Sequence, residues 1–344
     1  MNWFLWRQHR KNFLVIGILL ALYTALVIPT GLHFWHTYQH ALTACAQNPA
    51  DPNCSEPQLG LFQSSTDQLL FHLLPVTILF LPIVLGIFWG APLLAREYAE
   101  GTNGLVWTQG TSRHKWLTVK LTWVLVATAV FIGVFAALMT WWSNTPNTLN
   151  MDRFNDVFFS SQGILPVAYA LFAVTSGIMF GAWFKKTMVA AGVTLGLFIA
   201  LALIAVPNFV RPHYMAPVTV VAQMGPAAVD SKIPEGANWL LSRNIINQNG
   251  EVVQDIFSSA PAQCQKIIQQ MQIGTSAGGN RVKAVPGGGD SIDACLNKAG
   301  WHQIATFQPS YRYWDFQRIE AGIYLALTVL AVGATYLLVL RRDA

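Results

Sequence analysis

Residues 162–184, QGILPVAYALFAVTSGIMFGAWF, and residues 188–207, MVAAGVTLGLFIALALIAVP, are separated only by Lys185-Lys186-Thr187. Neither run contains Asp, Glu, Lys or Arg. Each is long enough for a helix that crosses the ~30 Å hydrocarbon core of a membrane. We therefore predict two transmembrane helices here. Four further runs of the same kind lie at about 13–35, 69–91, 121–142 and 321–340.

The composition of the whole chain supports this interpretation. Of its 344 residues, 53% are hydrophobic and 11% are charged, whereas a soluble domain carries roughly 25% charged residues. This balance excludes a soluble enzyme, most nucleotide-binding folds and a disordered scaffold. The formal net charge of +5 does not indicate a nucleic-acid partner, because the positions of the basic residues explain it.

The basic residues cluster on one predicted side of the membrane. The short loops on the other side, 36–68 and 143–161, hold a single basic residue, Arg153. Since Lys and Arg are enriched in cytoplasmic loops, we predict a multi-pass protein of the cell membrane with both termini in the cytoplasm. The clustered residues are Arg7, Arg10, Lys11, Arg96, Arg113, Lys115, Lys120, Lys185, Lys186, Arg341 and Arg342.

The first apolar run follows a basic segment, as a signal peptide does. We expect this span to be retained, because a polar stretch separates it from the cleavage-like sequence LTAC at 42–45.

Residues 208–317 form a long polar stretch between the fifth and sixth predicted spans, and this is enough chain for a small domain. Start and stop signals predict helices over 261–273 and 290–300. The glycine-rich run 278–289 lacks the Gly-Lys-Ser/Thr ending of a phosphate-binding loop. We interpret it as a flexible connection.

All four cysteines, Cys45, Cys54, Cys264 and Cys295, lie in segments predicted to be extracellular. An even number of cysteines in an oxidising compartment favours disulfides. Proximity in sequence favours Cys45–Cys54 and Cys264–Cys295, although three connectivities are possible. A membrane thiol oxidase is an alternative, but its chemistry usually needs a Cys-x-x-Cys pair, and the spacings here are far longer.

Three histidines, His33, His36 and His40, would share one helix face near the end of the first span, and His72 begins the second span at a similar depth. Such a group can hold a metal ion. No carboxylate or cysteine is patterned with them, so we favour interfacial packing and predict no metal site.

The loop after the second span carries the most specific pattern. It reads AREYAEGT over 95–102 and LVWTQGTSR over 105–113, followed by Trp116 and Lys120. This pattern resembles the cytoplasmic loop of ABC-2 type ABC exporter permeases. In those, an acidic residue precedes Gly-Thr, a short amphipathic helix and a Thr-x-x-x-Ser-Arg turn follow, and a Lys opens the third span.

Two further stretches resemble the same family. The N-terminal WFLWRQHR at 3–10 is similar to its interfacial connecting helix, and QPSYRYWDFQRIE at 308–320 is similar to a stretch in one bacterial subgroup. The resemblance implies an all-α membrane protein with six transmembrane helices. The polar stretch and its cysteines add a small disulfide-containing extracellular domain between helices five and six, which is longer than the family's usual outer loop. The implied boundaries are 1–12 for the connecting helix, 13–207 for helices one to five with a coupling helix at 92–118, 208–317 for the extracellular domain, and 318–344 for helix six and the tail.

The resemblance also implies a partner. The coupling helix would contact a separate ABC ATPase subunit, present in two copies, which binds ATP and Mg²⁺. The implied contact residues are Glu97, Glu100, Gly101, Thr102, Trp107 and Arg113. The residues fit this role physically: Gly101 can break one helix and let another begin, and a short stiff helix at the membrane surface can act as a lever on the spans beside it.

The energy source must lie outside this chain. The sequence has no Walker A motif, and its longest predicted cytoplasmic loop, 92–120, is too short for an ATPase. Ion-coupled carriers usually place ionisable residues inside their spans, and the predicted spans have no Asp, Glu, Lys or Arg. We therefore predict a permease subunit that is not itself an enzyme, within a complex that hydrolyses ATP.

Two pairs of glycines, Gly177 with Gly181 and Gly192 with Gly196, have the four-residue spacing of close helix packing. They favour a dimer with a second copy or a related permease.

The uncharged spans favour an exported cargo that is amphipathic or hydrophobic, such as a drug, a peptide antibiotic or a lipid-like molecule. The alternative is a membrane-anchored sensor or assembly factor whose 208–317 domain binds a ligand; deleting that domain would discriminate.

Overall fold

The structure is a computed structural model that describes residues 2–47, 65–101, 112–144, 153–225, 228–234, 238–267 and 288–342. The chain divides into two compact units. The membrane unit comprises Met1–Tyr214 and Tyr313–Ala344, and the 215–312 unit comprises Met215–Arg312.

Most of the described chain is helical. Its α-helices are α1 (Asn2–Gln47), α2 (Ser65–Leu85), α3 (Ala91–Ala99), α4 (Arg113–Trp142), α5 (Asp156–Ser161), α6 (Leu165–Phe184), α7 (Thr187–Phe198), α8 (Ile256–Ser259), α9 (Gly288–Lys298) and α10 (Tyr313–Arg342). Two π-helical segments, Gly86–Gly90 and Ile199–Val210, continue α2 and α7 respectively, and 3-10 turns cover Arg211–His213, Asp230–Lys232 and Ser310–Arg312.

Within the described residues, six helical stretches are long and apolar enough to cross a membrane, as many as predicted. They are span one (Gly17–Gln47), span two (Gln68–Ala99), span three (Arg113–Trp142), span four (Leu165–Phe184), span five (Thr187–His213) and span six (Ser310–Arg341).

The prediction that the spans carry no charged residues is wrong at their ends. The helices continue beyond the apolar runs and take in Lys120, Arg211 and Glu320, all of which are buried. Each of these charges lies against an opposite charge. Pairing removes most of the cost of burying a charge, so the helix can extend past the point where the sequence pattern ends.

The predicted connecting helix 1–12 is not a separate element, because α1 runs from Asn2 to Gln47 without interruption. Residues 2–16 contain no Gly or Pro. Nothing in this stretch therefore breaks the helix before the first span begins.

The spans alternate in direction, so their ends fall into two groups. At one end, the Lys185 ammonium lies 4.8 Å from the Tyr98 ring centroid, and the Thr118 hydroxyl lies 2.8 Å from that of Tyr336. We name this group the Lys120 end, and the opposite one the Arg211 end. Ring contacts of Tyr23 with Phe135 and of Phe34 with Trp142 show that α1 begins at the Lys120 end, where α10 finishes.

Span four is the central helix of the membrane unit. Of the most apolar 18-residue stretch of this span, 78% is buried, whereas the corresponding share is 44% or less in the other five spans. It packs against α2, α3, α4, α7 and α10. A helix that is apolar on every side is expected at such a position.

Glycines let span four approach span two closely. A Cβ placed on Gly177 would lie 2.5 Å from the carbonyl oxygen of Gly86, and one placed on Gly181 would lie 2.6 Å from that of Ala91. This pair therefore packs inside one chain, whereas we had assigned it to a dimer. A Cβ on Gly192 or Gly196 would meet nothing within 4 Å, so a dimer contact there stays a prediction.

The 215–312 unit contains a sheet, and the all-α prediction is wrong for it. Its strands are β1 (Val218–Gln223), β2 (Trp239–Ile246), β3 (Val252–Val253) and β4 (His302–Gln308), in the antiparallel order β1-β4-β2-β3. Residues of β4 alternate between buried and half-buried until its last position. This two-residue burial period is that of a strand, but the sequence HQIATFQ does not alternate apolar with polar residues, so it carries no clear strand signal.

A disulfide between Cys264 and Cys295 joins the segment after α8 to α9, as predicted. It lies in a small apolar core with Met224, Leu296 and Trp301. The prediction of a helix over 290–300 is confirmed by α9, which is followed by Gly300 in the left-handed region at φ +79°.

The other predictions for this unit and for the second disulfide are tested only in part. The chain is helical over 262–267, and the rest of the helix predicted over 261–273 lies outside the described residues, as does most of the 278–289 connection. Cys45 is disulfide-bonded, whereas its predicted partner Cys54 lies outside the described residues.

We predict that Gly177→Ala destabilises the membrane unit. The new methyl group would force span four away from the carbonyl of Gly86, and overpacking of this kind costs about 1–3 kcal/mol. Thermal unfolding in detergent should show a midpoint several degrees lower. The matched control is Gly192→Ala, where the methyl group meets open space and the higher helix propensity of Ala gives a neutral or stabilising change. Equal effects of the two substitutions would contradict the packing argument.

Candidate functional site

The Lys120 end holds the two helix ends that border the predicted coupling loop. Helix α3 stops at Ala99, and Gly101 adopts φ +67°, a conformation that costs Gly little and lets the chain turn away. Helix α4 begins after Ser112, whose hydroxyl accepts a hydrogen bond from the Lys115 amide at 3.3 Å. The intervening residues 102–111, which include Thr102 and Trp107, lie outside the described residues.

A buried ion pair joins these two helices just below the loop. The Lys120 ammonium on α4 binds the Glu97 carboxylate on α3. The side chain of Lys120 is only 3% exposed, and its ammonium also lies 5.0 Å from the Trp116 ring centroid. Because a buried charge is stable only with its partner, the pair fixes the spacing of α3 and α4.

The predicted contact residues therefore separate into two kinds. Glu97 is held inside the chain by Lys120. Glu100 is 56% exposed and lies 3.6 Å from Arg96, which is 70% exposed. Arg113 is the first residue of α4 and is half-buried. Glu100 and Arg113 thus flank the loop, whereas Glu97 supports it from within.

The Arg211 end contains a second, larger charge cluster. Arg211 and Glu320 are both fully buried. The Nε and Nη2 atoms of Arg211 donate to the two Glu320 carboxylate oxygens at 2.8 and 2.9 Å. Its Nη1 donates to Asp156 at 2.6 Å, and its guanidinium lies 4.3 Å from the Phe159 ring centroid. This two-pronged geometry gives Arg–carboxylate pairs both strength and a fixed orientation.

The carboxylate of Glu320 has every acceptor position occupied. In addition to the two bonds from Arg211, it accepts the hydroxyls of Tyr169 and, at 3.2 Å, of Tyr214. Burial raises the pKa of the Tyr214 phenol well above its usual value, and the nearby Glu320 charge adds to this, so the phenol stays protonated and donates. The four donors hold the carboxylate in one orientation.

Span six contributes a second anchor one turn earlier. The Gln317 side-chain amide donates to the Phe159 carbonyl at 2.7 Å and accepts from the Ile164 amide at 3.3 Å. The ring of Tyr313 packs against Phe154 and Phe159 at 5.7 and 5.4 Å. Residues 313–320, the second part of the stretch that resembles a bacterial subgroup, thus supply much of the Arg211 end.

The role of Arg211 could not be read from the sequence. The residue follows a 20-residue apolar run by four positions, and Glu320 precedes another run by one position. A charge at the edge of an apolar run usually marks the membrane surface. A complementary charge at the edge of the adjoining span is the one signal that would have suggested a buried pair.

Within the described residues, no group of three or more His, Cys, Asp or Glu side chains could hold a metal ion. His33 instead lies with its ring 6.1 Å from that of Phe34, and the His72 ring lies 5.5 Å from that of Phe71.

We predict that removing one partner of the Glu97–Lys120 pair lowers the free energy of unfolding more than replacing both partners does. Lys120→Met leaves the Glu97 carboxylate without its buried cation, which should lower the free energy of unfolding by about 1–3 kcal/mol. The double variant with Glu97→Gln should lose less than the sum of the single losses. Denaturant unfolding in detergent measures all three variants.

The control for this cycle is the exposed pair at the same end, Arg96→Gln with Glu100→Gln, for which about 0–1 kcal/mol is expected. Additive losses for Glu97 and Lys120 would show that the two residues do not stabilise one another.

The comparisons with known proteins agree with the membrane unit. The family model described as ABC-2 membrane transporter related matches residues 17–211, which is more than half of the chain and extends from the first span to Arg211. No curated protein and no solved structure matches the chain. With six candidate spans in the structure and this match over five of them, the chain belongs to the ABC-2 membrane transporter related family, whose members are membrane transport components.

Proposed function

We propose that this chain is the transmembrane permease subunit of an ATP-driven ABC exporter. The observation that carries the proposal is the family match over spans one to five. In the proposed complex, two copies of a separate ABC ATPase bind and hydrolyse ATP with Mg²⁺. A second copy of this chain, or a related permease, completes the pathway through the membrane.

The geometry of the Lys120 end supports a role for the loop between α3 and α4 as a lever on spans two and three. The loop between Gly101 and Ser112 is held by α3 and α4, and the Glu97–Lys120 pair joins these helices at its base. A force on the loop would therefore move spans two and three together. Since α3 also contacts span four through Ala91 and Gly181, the movement would reach the centre of the bundle.

The charge distribution supports placing the Lys120 end in the cytoplasm. Arg96, Arg113, Lys185 and Arg341 all lie in the segments that meet there. The excess of basic residues on the cytoplasmic side is the strongest known determinant of orientation. We therefore propose that α1 begins, and α10 finishes, in the cytoplasm.

The cargo we propose is amphipathic or hydrophobic and leaves the cell. In the described spans, the buried charges are confined to the two ends, where Lys120 pairs with Glu97 and Arg211 with Glu320. The surfaces between these ends are apolar or weakly polar. A pathway along them favours molecules that tolerate a low dielectric, such as a drug, a peptide antibiotic or a lipid-like compound.

A second candidate function rests on the 215–312 unit, which has its own apolar core, sheet and disulfide. Such a unit can bind a ligand, as a membrane-anchored sensor would. The thiol oxidase is less favoured, because Cys264 is fully buried and a catalytic disulfide must be accessible to its partner thiol.

The test of the permease proposal uses Glu100→Ala with Arg113→Ala in the assembled complex. Both side chains flank the loop, so their loss should leave the permease folded while substrate-stimulated ATP hydrolysis falls sharply. The matched control removes an i,i+3 Asp–Arg pair at the Arg211 end, Asp315→Ala with Arg318→Ala, and should hydrolyse ATP normally.

Two results would contradict the proposal. One is purification of the chain, from cells that also express the neighbouring genes, without any ATPase. The other is normal export by the folded Glu100→Ala, Arg113→Ala variant, which would remove this loop from the mechanism.

A further inference from the structure

A side groove lies between spans three, four and six, in the half of the membrane unit nearer the Arg211 end. It has a volume of about 670 Å³. Ile164 and Leu325, which both line it, are each 44% exposed, so the groove opens to the outside of the bundle. In a membrane, the space outside a bundle is filled by lipid. The walls of the side groove also include Gly133, Ala137, Thr140 and Gly163.

The side groove is apolar and runs along span three. Gly133 and Ala137 lie one turn apart on α4, and a Cβ placed on Gly133 would meet nothing within 4 Å. The wall continues to Thr140, which is roughly 10 Å of helix away from Gly133. The hydroxyl of Thr140 donates to the Ala136 carbonyl at 2.6 Å and accepts from the Gly163 amide at 2.9 Å, so it already has its partners. A groove of this shape and lining fits an extended hydrocarbon chain.

A cation lies at the end of the side groove nearer the membrane surface. Arg318 is spaced so that it shares one face of α10 with Ala321 and Leu325, which line the groove. Arg318 precedes the apolar run of span six by three positions and is 73% exposed, which places it at the depth of the lipid headgroups. The ring of Trp314, one turn earlier, lies 3.2 Å from a Cβ placed on Gly163. Arg318 and Trp314 therefore border the mouth of the groove.

The Arg318 guanidinium has donors available for a phosphate. Its Nη1 lies 3.3 Å from the Asp315 carboxylate one turn earlier, and an exposed pair of this kind is weak. Among the residues that the structure describes, its other N–H groups have no acceptor. A guanidinium can bind a phosphate through two parallel N–H groups. Arg318 can therefore bind an anionic headgroup above the groove.

Packing alone would not select one lipid over another. Lipid tails are as apolar as the wall of the side groove, so a chain that enters it gains van der Waals contact and little hydrophobic free energy. Selectivity must then come from the headgroup, where Arg318 favours a net negative charge. In a zwitterionic lipid, the cationic group of the headgroup offsets the charge of the phosphate.

We propose that the side groove binds one acyl chain of an anionic phospholipid whose phosphate binds Arg318. The bound chain fills the space between spans three, four and six and so stabilises their packing. Binding requires only that the six spans lie in a membrane, and it does not depend on the transport of a cargo.

The experiment measures lipid retention by the full chain in detergent. The chain is incubated with phosphatidylglycerol or with phosphatidylcholine, both with the same acyl chains and a photoreactive group on one of them. Native mass spectrometry counts the lipids that stay bound. We expect one phosphatidylglycerol per chain under conditions in which phosphatidylcholine is retained several-fold less. After illumination, the cross-link should map to residues 133–140 or 163–168.

Two substitutions alter the groove and the cation separately. Gly133→Leu places a large side chain where a Cβ has open space, so the helix should form as before while retention of both lipids falls several-fold. Arg318→Gln should lower the retention of phosphatidylglycerol to that of phosphatidylcholine and leave phosphatidylcholine unchanged.

Each substitution has a matched control toward the Lys120 end. Gly17→Leu also adds a side chain at a glycine whose Cβ would meet nothing within 4 Å, but it lies on span one. Arg96→Gln removes an arginine that is 70% exposed and lies 3.6 Å from an acidic neighbour, as Arg318 lies near Asp315. Both controls should retain phosphatidylglycerol as the unaltered chain does.

Three outcomes would overturn the proposal. The unaltered chain could retain the two lipids equally, which would show that Arg318 gives no selectivity. A folded and monodisperse Gly133→Leu variant could retain phosphatidylglycerol as before, which would place the lipid elsewhere. The third is a dimer of the unaltered chain that Gly133→Leu converts to a monomer, with no cross-link in the groove, which would show that a second copy of the chain fills it.

Discussion

A charge buried among membrane-spanning helices is stable only when an opposite charge lies against it, and this constraint organises both ends of the bundle. At one end, Lys120 and Glu97 join spans two and three at the base of the loop we assign to the ATPase. At the other, Arg211 and Glu320 join spans five and six. The stretch between the two ends carries close packing of small residues in place of charge, as at Gly177. Ion pairs therefore join the helices at the two ends of the bundle, and close packing joins them at its centre.

The six spans could be predicted from the sequence because they depend on length and apolarity alone, which are local properties. The helix ends could not. The apolar runs stop at Leu121 and Pro207, yet the helices include Lys120 and Arg211, because a tertiary partner neutralises each charge. A sequence pattern shows where the charged residue is, but it does not show which opposite charge lies beside it in the folded chain. For the candidate site, the sequence indicated the loop and its flanking Gly101 and Ser112, but it did not indicate that Glu97 binds the buried Lys120. A contact of Glu97 with an ATPase stays a prediction.

The sheet of the 215–312 unit was missed for a different reason. Burial in β4 alternates with the period of a strand, but its sequence does not, because the polar Gln303 is buried while Ile304 is half-buried. The disulfide between Cys264 and Cys295 was recoverable because proximity in sequence and an oxidising compartment act together. The π segment of span five contains Pro207, a local mark of an irregular helix, whereas the pairing of Arg211 with Glu320, 109 positions away, has no local signal.

The bonds to Glu320 show what the buried charge does in this bundle. The predicted absence of charge in the spans argued against an ion-coupled carrier, and the structure removes that premise by burying Arg211 and Glu320. Glu320 on span six accepts two hydrogen bonds from Arg211 on span five, one from Tyr169 on span four and one from Tyr214. Bonds that converge on one carboxylate from neighbouring spans fix how spans four, five and six lie against each other. The buried charge therefore positions helices, and in the complex we propose the work of transport enters through the Lys120 end.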